Sequence, residues 1–234
     1  MFLTVQGEGS RAGELSVFVR FAGCNLWSGR PEDRAQGRGE CARWCDTDFV
    51  GGEKLTAEQV VDRVNHLLSP RQYGHDAWIV LTGGEPSLQL DFDFVNAMHH
   101  AGIFIAVETN GTVANPALEI VDWVTLSPKL GGEVKIDRTS ELKVVLPGSV
   151  DGYGWTDRQL EELGQRFDSE LFVQPQDPVI PQFVEQSLLR RSAMNDRDAM
   201  ARRYASGVQR CFEFVRTHPN WRIGVQGHKL LDLP

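Results

Sequence analysis

Short apolar segments alternate along this chain with polar, glycine-rich loops and helix-like stretches, and that alternation restricts the folds open to it. Leu15–Phe21, Trp78–Leu81, Ile103–Val107, Trp123–Leu126, Glu141–Leu146, Leu171–Val173 and Trp221–Gln226 read as strands. Several are near-continuously apolar, as strands covered on both faces are. A glycine-rich turn, Gln6-Gly7-Glu8-Gly9-Ser10, precedes the first of them. Thr56-Ala57-Glu58-Gln59 has the form of a capping box, and Val60, Val61, Val64, Leu67 and Leu68 follow at helical spacing. Phe94, Val95 and Met98 share another helical face, and Thr156–Phe167 forms a second capped helix with Leu160, Leu163 and Phe167 on one side. Residues 182–217 are the most helical part, with Met200, Tyr204, Val208, Cys211, Phe212 and Val215 in one apolar stripe. Strand, loop and helix in repetition predict an α/β fold with a mostly parallel sheet and outer helices. The 234 residues show no internal repeat or composition break, so a single domain over 1–234 is expected.

In such folds ligands gather at the carboxyl ends of the strands. Polar clusters stand at those ends: Thr82-Gly83-Gly84-Glu85, Glu108-Thr109-Asn110, Ser127-Pro128-Lys129 and Gln174-Pro175-Gln176-Asp177. Loops that only reverse the chain need turn formers, not Glu, Thr and Lys at strand after strand. The coincidence predicts one pocket lined from several strands. Arg20 is the one charge within the first strand, and alone it reads as an ordinary strand-end residue.

The stretch from Gly23 to Gly52 gathers three of the four cysteines, Cys24, Cys41 and Cys45, while Cys211 falls on the apolar stripe and reads as core. Between Ser28 and Glu40 no periodicity appears, and long irregular loops of this kind are functional or disordered. Three readings of the cysteines stand: small buried residues, a zinc site, or an iron–sulfur cluster. A structural zinc site needs a fourth ligand, and the nearest histidines are His66, in a helix, and His75. A cubic cluster on three thiolates leaves one iron without a protein ligand. The N-terminal MFLTVQGEG lacks the features of a signal peptide, and no apolar run approaches the roughly 20 residues of a membrane span. A cytoplasmic location is therefore expected, where grouped cysteines favour metals over disulfides. A net charge of −8 without a basic block argues against a large nucleic-acid footprint, yet leaves room for a small anionic substrate.

Together, the cysteine loop and Thr82-Gly83-Gly84-Glu85-Pro86 resemble radical S-adenosylmethionine (SAM) enzymes. More narrowly, the chain resembles the 7-carboxy-7-deazaguanine synthase family of the queuosine and 7-deazapurine pathway. The motifs are Val5-Gln6-Gly7-Glu8-Gly9, Val19 to Trp27, Cys45-Asp46-Thr47-Asp48-Phe49, Glu108-Thr109-Asn110-Gly111, Ser127-Pro128-Lys129, Glu141-Leu142-Lys143-Val144, Gln174-Pro175 and His228-Lys229. The resemblance implies a partial, open βα barrel with a cluster-binding loop at 24–52. It implies a [4Fe–4S] cluster on Cys24, Cys41 and Cys45, whose open iron chelates SAM. Cleavage of the S–C5′ bond then gives methionine and a 5′-deoxyadenosyl radical. SAM contacts fall to Gly83, Gly84, Glu85, Glu108, Ser127, Pro128 and Lys129, with Gln174, Pro175, Gln176 and Asp177 at the adenosine end. The implied substrate is 6-carboxy-5,6,7,8-tetrahydropterin: a hydrogen is taken from C6, the ring contracts and ammonia leaves. Its binding residues would be Val5, Gln6, Gly7, Glu8, Arg20, Thr82, His228 and the terminal Pro234. Arg20 can then grip a carboxylate in a fork. Asp46-Thr47-Asp48 reads either as an Asx-type turn or, by resemblance, as a Mg²⁺ site through Thr47.

The match departs from the family pattern in places. Most radical SAM enzymes space their cysteines C-x3-C-x2-C, whereas the gaps here are sixteen and three. One branch of the family expands the first gap, and the second is one residue longer than that branch suggests. The segment 179–205 is also longer than in related sequences. A homodimer and an electron donor such as flavodoxin are further implications of the resemblance. No direct partnership with nucleic acid or membrane is expected. The competing readings are another radical SAM enzyme, such as a glycyl-radical activating enzyme, and a non-catalytic or zinc-binding module.

Overall fold

A computed structural model describes residues 1–43, 45, 47–68, 77–147, 154–176 and 186–233. Eight strands form one sheet in chain order: β1 Phe2–Val5, β2 Leu15–Phe21, β3 Ala77–Gly83, β4 Ile103–Thr109, β5 Trp123–Leu126, β6 Glu141–Leu146, β7 Glu170–Pro175 and β8 Trp221–Ile223. β1 pairs antiparallel with β2, and every later neighbour is parallel. Among the described residues β8 does not pair with β1, so the sheet is an open barrel, not a closed one. The expected partial βα barrel is thus observed, with one added strand. β1 escaped the sequence pattern because four residues carry too little periodicity.

Helices α1 Ala57–Leu67, α2 Phe92–His100, α3 Asp157–Arg166 and α4 Gln186–Thr217 follow the strands, and a short α5 Gly227–Leu230 ends the chain. Thr56 and Thr156 each cap a helix reciprocally with a glutamine at the third helical position, so both expected capping boxes form. Strand residues alternate between two faces. Ile79 and Leu81 of β3, and Ile105 and Val107 of β4, join Val64, Met98, Leu160 and Phe214 in one buried core beneath the helices. The other face turns Phe18, Arg20, Thr82, Glu108, Lys143 and Gln174 toward the concave side.

The stripe on α4 divides. Cys211 and Phe214 are buried, whereas Tyr204, Val208 and Phe212 are 37, 38 and 55 % exposed. The contact line runs along Gly207, Cys211 and Phe214 because α4 lies against β7 at Gly207, where an added Cβ would touch Pro175. Cys211 is core as expected, and burial pushes its thiol up to about 12.

Candidate active site

The cysteine loop is built around a small core of its own. Trp27, Ala42 and Phe49 pack together, with Cys24 and Cys45 against them, and the Trp27 and Phe49 rings meet edge to face at 5.7 Å. Arg34, from the inserted stretch, lies 4.6 Å over the Trp27 ring. Its guanidinium donates to the carbonyls of Ala42 at 2.5 Å and Cys45 at 3.0 Å. The unusual three-residue gap is resolved by a helical turn: Glu40–Arg43 is 3-10 helix, and Cys45 N–H donates to Cys41 C=O at 2.7 Å. That bond brings Cys41 and Cys45 within one turn, and both residues line the same cavity. All three thiols are free. Burial pushes Cys41 up to about 11 and raises Cys24.

Glycines bring the end of β3 against this loop. Gly83 has φ +126, and an added Cβ would stand 2.2 Å from Phe21 C=O; at Gly84 it would stand 1.9 Å from Gly23 C=O. Only a residue without a side chain permits that approach. The Gly84 and Glu85 N–H groups donate to Phe21 and Gly23 at 3.1 and 2.9 Å. Glu85 itself is fully buried. Its carboxylate accepts from Ser87 N–H at 3.0 Å, Thr109 Oγ1 at 2.7 Å and Asn110 N–H at 2.7 Å. Three of the roughly four acceptor sites of this carboxylate are thus used in joining β3 to β4. Asn110 continues the chain of bonds, donating to Asn25 beside Cys24 at 3.3 Å.

A second polar system spans the barrel mouth. Lys143 of β6, its side chain 5 % exposed, donates to Glu8 at 2.6 Å and Glu108 at 3.0 Å. Glu8 also accepts from Gln174 at 3.1 Å and Gln226 at 2.8 Å. Glu108 accepts from Gln6 at 3.2 Å. Burial alone would raise the Glu8 carboxyl, but the Lys143 ammonium and these hydrogen bonds outweigh it and hold the group down at about 2. Burial opposes the Lys143 charge, yet Glu108, Glu8 and Glu141 around it raise its pKa above the ordinary lysine value.

Both systems line one cavity of about 490 Å³, within the range of small-molecule sites. Of the residues singled out in the sequence, it gathers Val5, Gln6, Glu8, Arg20, Cys24, Cys41, Cys45, Thr47, Thr82, Gly83, Gly84, Glu108, Ser127, Lys129, Gln174 and His228. Gly7, Glu85, Pro128, Pro175 and Gln176 do not line it. Gly7 lies behind His228, whose ring fills the place a Cβ would need. Pro128 is buried, and Gln176 N–H is bonded to Leu146 C=O at 2.8 Å. Asp46, Asp177 and Pro234 lie outside the described residues. Thr47 reaches the cavity, and the neighbouring Asp48 carboxylate accepts from Val50 N–H at 3.2 Å in an Asx turn. Lys129 donates to Ser127 Oγ at 2.7 Å, coupling two of the predicted contacts.

Sequence reasoning gave no role to Lys143, Gln226, Trp27 or Arg34. Lys143 was visible only as a charge within an apolar strand, which is itself a signal of an internal partner. Two buried cavity atoms, Trp27 Nε1 and Gln174 Oε1, have no hydrogen-bond partner among the described residues. Among the described residues, no group of three His, Cys, Asp or Glu converges on a single metal ion.

No protein-family model matches the chain. Among curated proteins, a 7-carboxy-7-deazaguanine synthase of Burkholderia multivorans is 39 % identical over 241 residues, covering 100 % of this chain and 97 % of the relative. That of Caulobacter vibrioides is also 39 % identical with the same coverage. That of Bacteroides thetaiotaomicron is 31 % identical, covering 100 % of this chain and 96 % of its own. The crystal structure of QueE from Escherichia coli superposes with a TM-score of 0.62 at 22 % identity, covering 97 % of this chain and 92 % of that one, a likeness of fold. With full-length relatives at this identity, the chain belongs to the 7-carboxy-7-deazaguanine synthase family.

Proposed function

We propose that this enzyme is a radical SAM lyase that converts 6-carboxy-5,6,7,8-tetrahydropterin to 7-carboxy-7-deazaguanine with loss of ammonia. The observation that carries the reading is the single cavity shared by three free thiols and the polar ends of β2, β3, β4, β5, β6 and β7. Three thiols that line one cavity suit a [4Fe–4S] cluster, where each thiolate takes a separate iron. A structural zinc site would need a fourth ligand. When bound, the cluster supplies the electron that cleaves the S–C5′ bond of SAM.

The rest is the work of the chain's own groups. Gly83 and Gly84 bring backbone close to the cluster side of the cavity, and Ser127 and Lys129 present a hydroxyl and an ammonium for SAM's polar groups. Gln174 faces the same space. Opposite them, Gln6, Glu8 and Thr82 line the substrate end, with Arg20 and His228 as the cationic and aromatic side chains for the pterin carboxylate. Thr47 offers a hydroxyl to Mg²⁺, which keeps several of its remaining positions for water and substrate oxygens. Val5, Gly7, Glu85, Glu108, Pro128, Pro175, Gln176, Asp177 and Pro234 complete the proposed set. No helix among the described residues is long and apolar enough to cross a membrane. Free grouped thiols fit a cytoplasmic setting, where an electron donor such as flavodoxin serves a homodimer of single-domain chains.

Anaerobic reconstitution with iron and sulfide, followed by incubation with SAM, reductant, Mg²⁺ and the carboxypterin, tests the proposal. Deazaguanine and 5′-deoxyadenosine are expected together by liquid chromatography. Deoxyadenosine without deazaguanine would favour a different radical SAM reaction, and a colourless zinc-loaded protein would remove the radical reading altogether.

A further inference from the structure

Buried charges are usually paired one to one, because an ion removed from water needs full compensation. The mouth of this barrel departs from that rule. Lys143 faces three carboxylates, Glu8, Glu108 and Glu141, and two of them line the cavity. Nearby amide donors turn to the carboxylates too. Gln6 spends its Nε2 on Glu108, and Gln174 and Gln226 spend theirs on Glu8. Gln174 Oε1, in a residue 2 % exposed, is left without a partner among the described residues.

The wall is therefore rich in acceptors. Each ionised carboxylate offers about four lone-pair sites. Glu108 uses two, for Gln6 and Lys143, and Glu8 uses three, for Lys143, Gln174 and Gln226. Lys143 sits between the two carboxylates at 2.6 and 3.0 Å, so it sets the distance between them. Its bond to Glu108 and that from Gln6 also bind Glu108 into the group around Glu8.

Resting on the pterin reading above, we propose that Lys143 is a positioning and specificity-determining residue. It holds Glu8 and Glu108 side by side as acceptors for the edge of the substrate ring that carries N–H donors, the exocyclic amino group and its adjacent ring N–H. A ligand lacking those donors leaves the remaining acceptor sites of the two carboxylates unfilled in a desolvated pocket, and sites built on such bonds reject analogues sharply.

Equilibrium binding of the carboxytetrahydropterin to reconstituted protein with SAM but no reductant, followed by anaerobic titration calorimetry, tests this. Lys143→Met is expected to weaken pterin binding by about 30-fold or more, the loss typical of a disrupted charged hydrogen-bond group, with SAM affinity changed less than about 3-fold. Lys143→Arg, which keeps the charge, should recover part of the loss. Wild-type protein, where no variant needs to fold, should prefer the pterin over its 2-desamino analogue by at least about 10-fold. Equal binding of the two pterins by the wild type, or unchanged pterin binding by Lys143→Met, overturns the assignment. Wild-type protein that binds neither pterin overturns the substrate reading itself.

Discussion

The cavity has two walls built in opposite ways. The cysteine wall is local: Arg34 reaches carbonyls 8 and 11 residues away, and its apolar support is three side chains. The strand-end wall is long-range: the bonds from Gln6, Lys143, Gln174 and Gln226 to Glu108 and Glu8 span 102, 135, 166 and 218 residues. It stands on the continuous core of the barrel. The first wall can fail without the fold, since little of the core depends on it. The second cannot move unless several strands move with it. On the proposed function, cluster loading falls to the first wall and substrate geometry to the second.

The sharpest way to break this contrast is Cys45→Ala. It should abolish deoxyadenosine formation, a loss of at least about 10³-fold on the scale of removing an essential group, while thermal unfolding of the metal-free protein shifts little. A large drop in the midpoint would show that the loop is part of the folding core. Next comes Arg34→Ala, which removes two bonds to the loop's carbonyls and the stack on Trp27. Iron per chain after reconstitution should fall several-fold, again with a small stability change of about 1–2 kcal/mol; unchanged iron content would leave the brace without a role.

On the strand-end wall the effect should appear in stability and depend on pH. The Glu8 carboxyl lies at about 2 in the fold against an ordinary 4.5. Its contribution, about 3 kcal/mol at most, is therefore fully present above 4.5 and is lost as the pH falls from there toward 2. Urea unfolding of the wild type should weaken across that window, and Glu8→Gln should flatten the dependence. The smallest change is expected at Thr56→Ala, which opens the capping box of α1 and should lower unfolding free energy by about 1 kcal/mol. Iron content and pterin binding should not respond, because no residue of α1 lines the cavity.

These contrasts also explain what could be read from the chain. Every strand from β2 onward was legible, since apolar runs ending in polar clusters declare both the strand and its functional end. Thr56 and Thr156 announced their helices through contacts three residues long. Lys143 stayed silent because its partners are brought in by strands far away in sequence. The bonds of Glu85 are hidden for a related reason: the motif gives residue type and place, while its donors Thr109 and Asn110 come from the end of the next strand. The α4 stripe failed at Phe212 because periodicity fixes a face without saying which neighbour covers it, and Gly207, the residue that meets Pro175, carries no hydrophobic signal.

Glu85 has one further bearing, on how variants of this protein are to be interpreted. A glutamine in its place has one oxygen where three donors converge from Ser87, Thr109 and Asn110, so an N–H would be forced to face another N–H. The gap between the β3 and β4 loops would open, and with it the link through Asn110 to Asn25. An activity screen alone would not separate the loss of a cofactor contact at Glu85 from the loss of this spacing. Library design for altered cofactor or substrate use should keep Glu85 constant and vary its neighbours, because it acts as a spacer whose dimension every other position in the motif assumes.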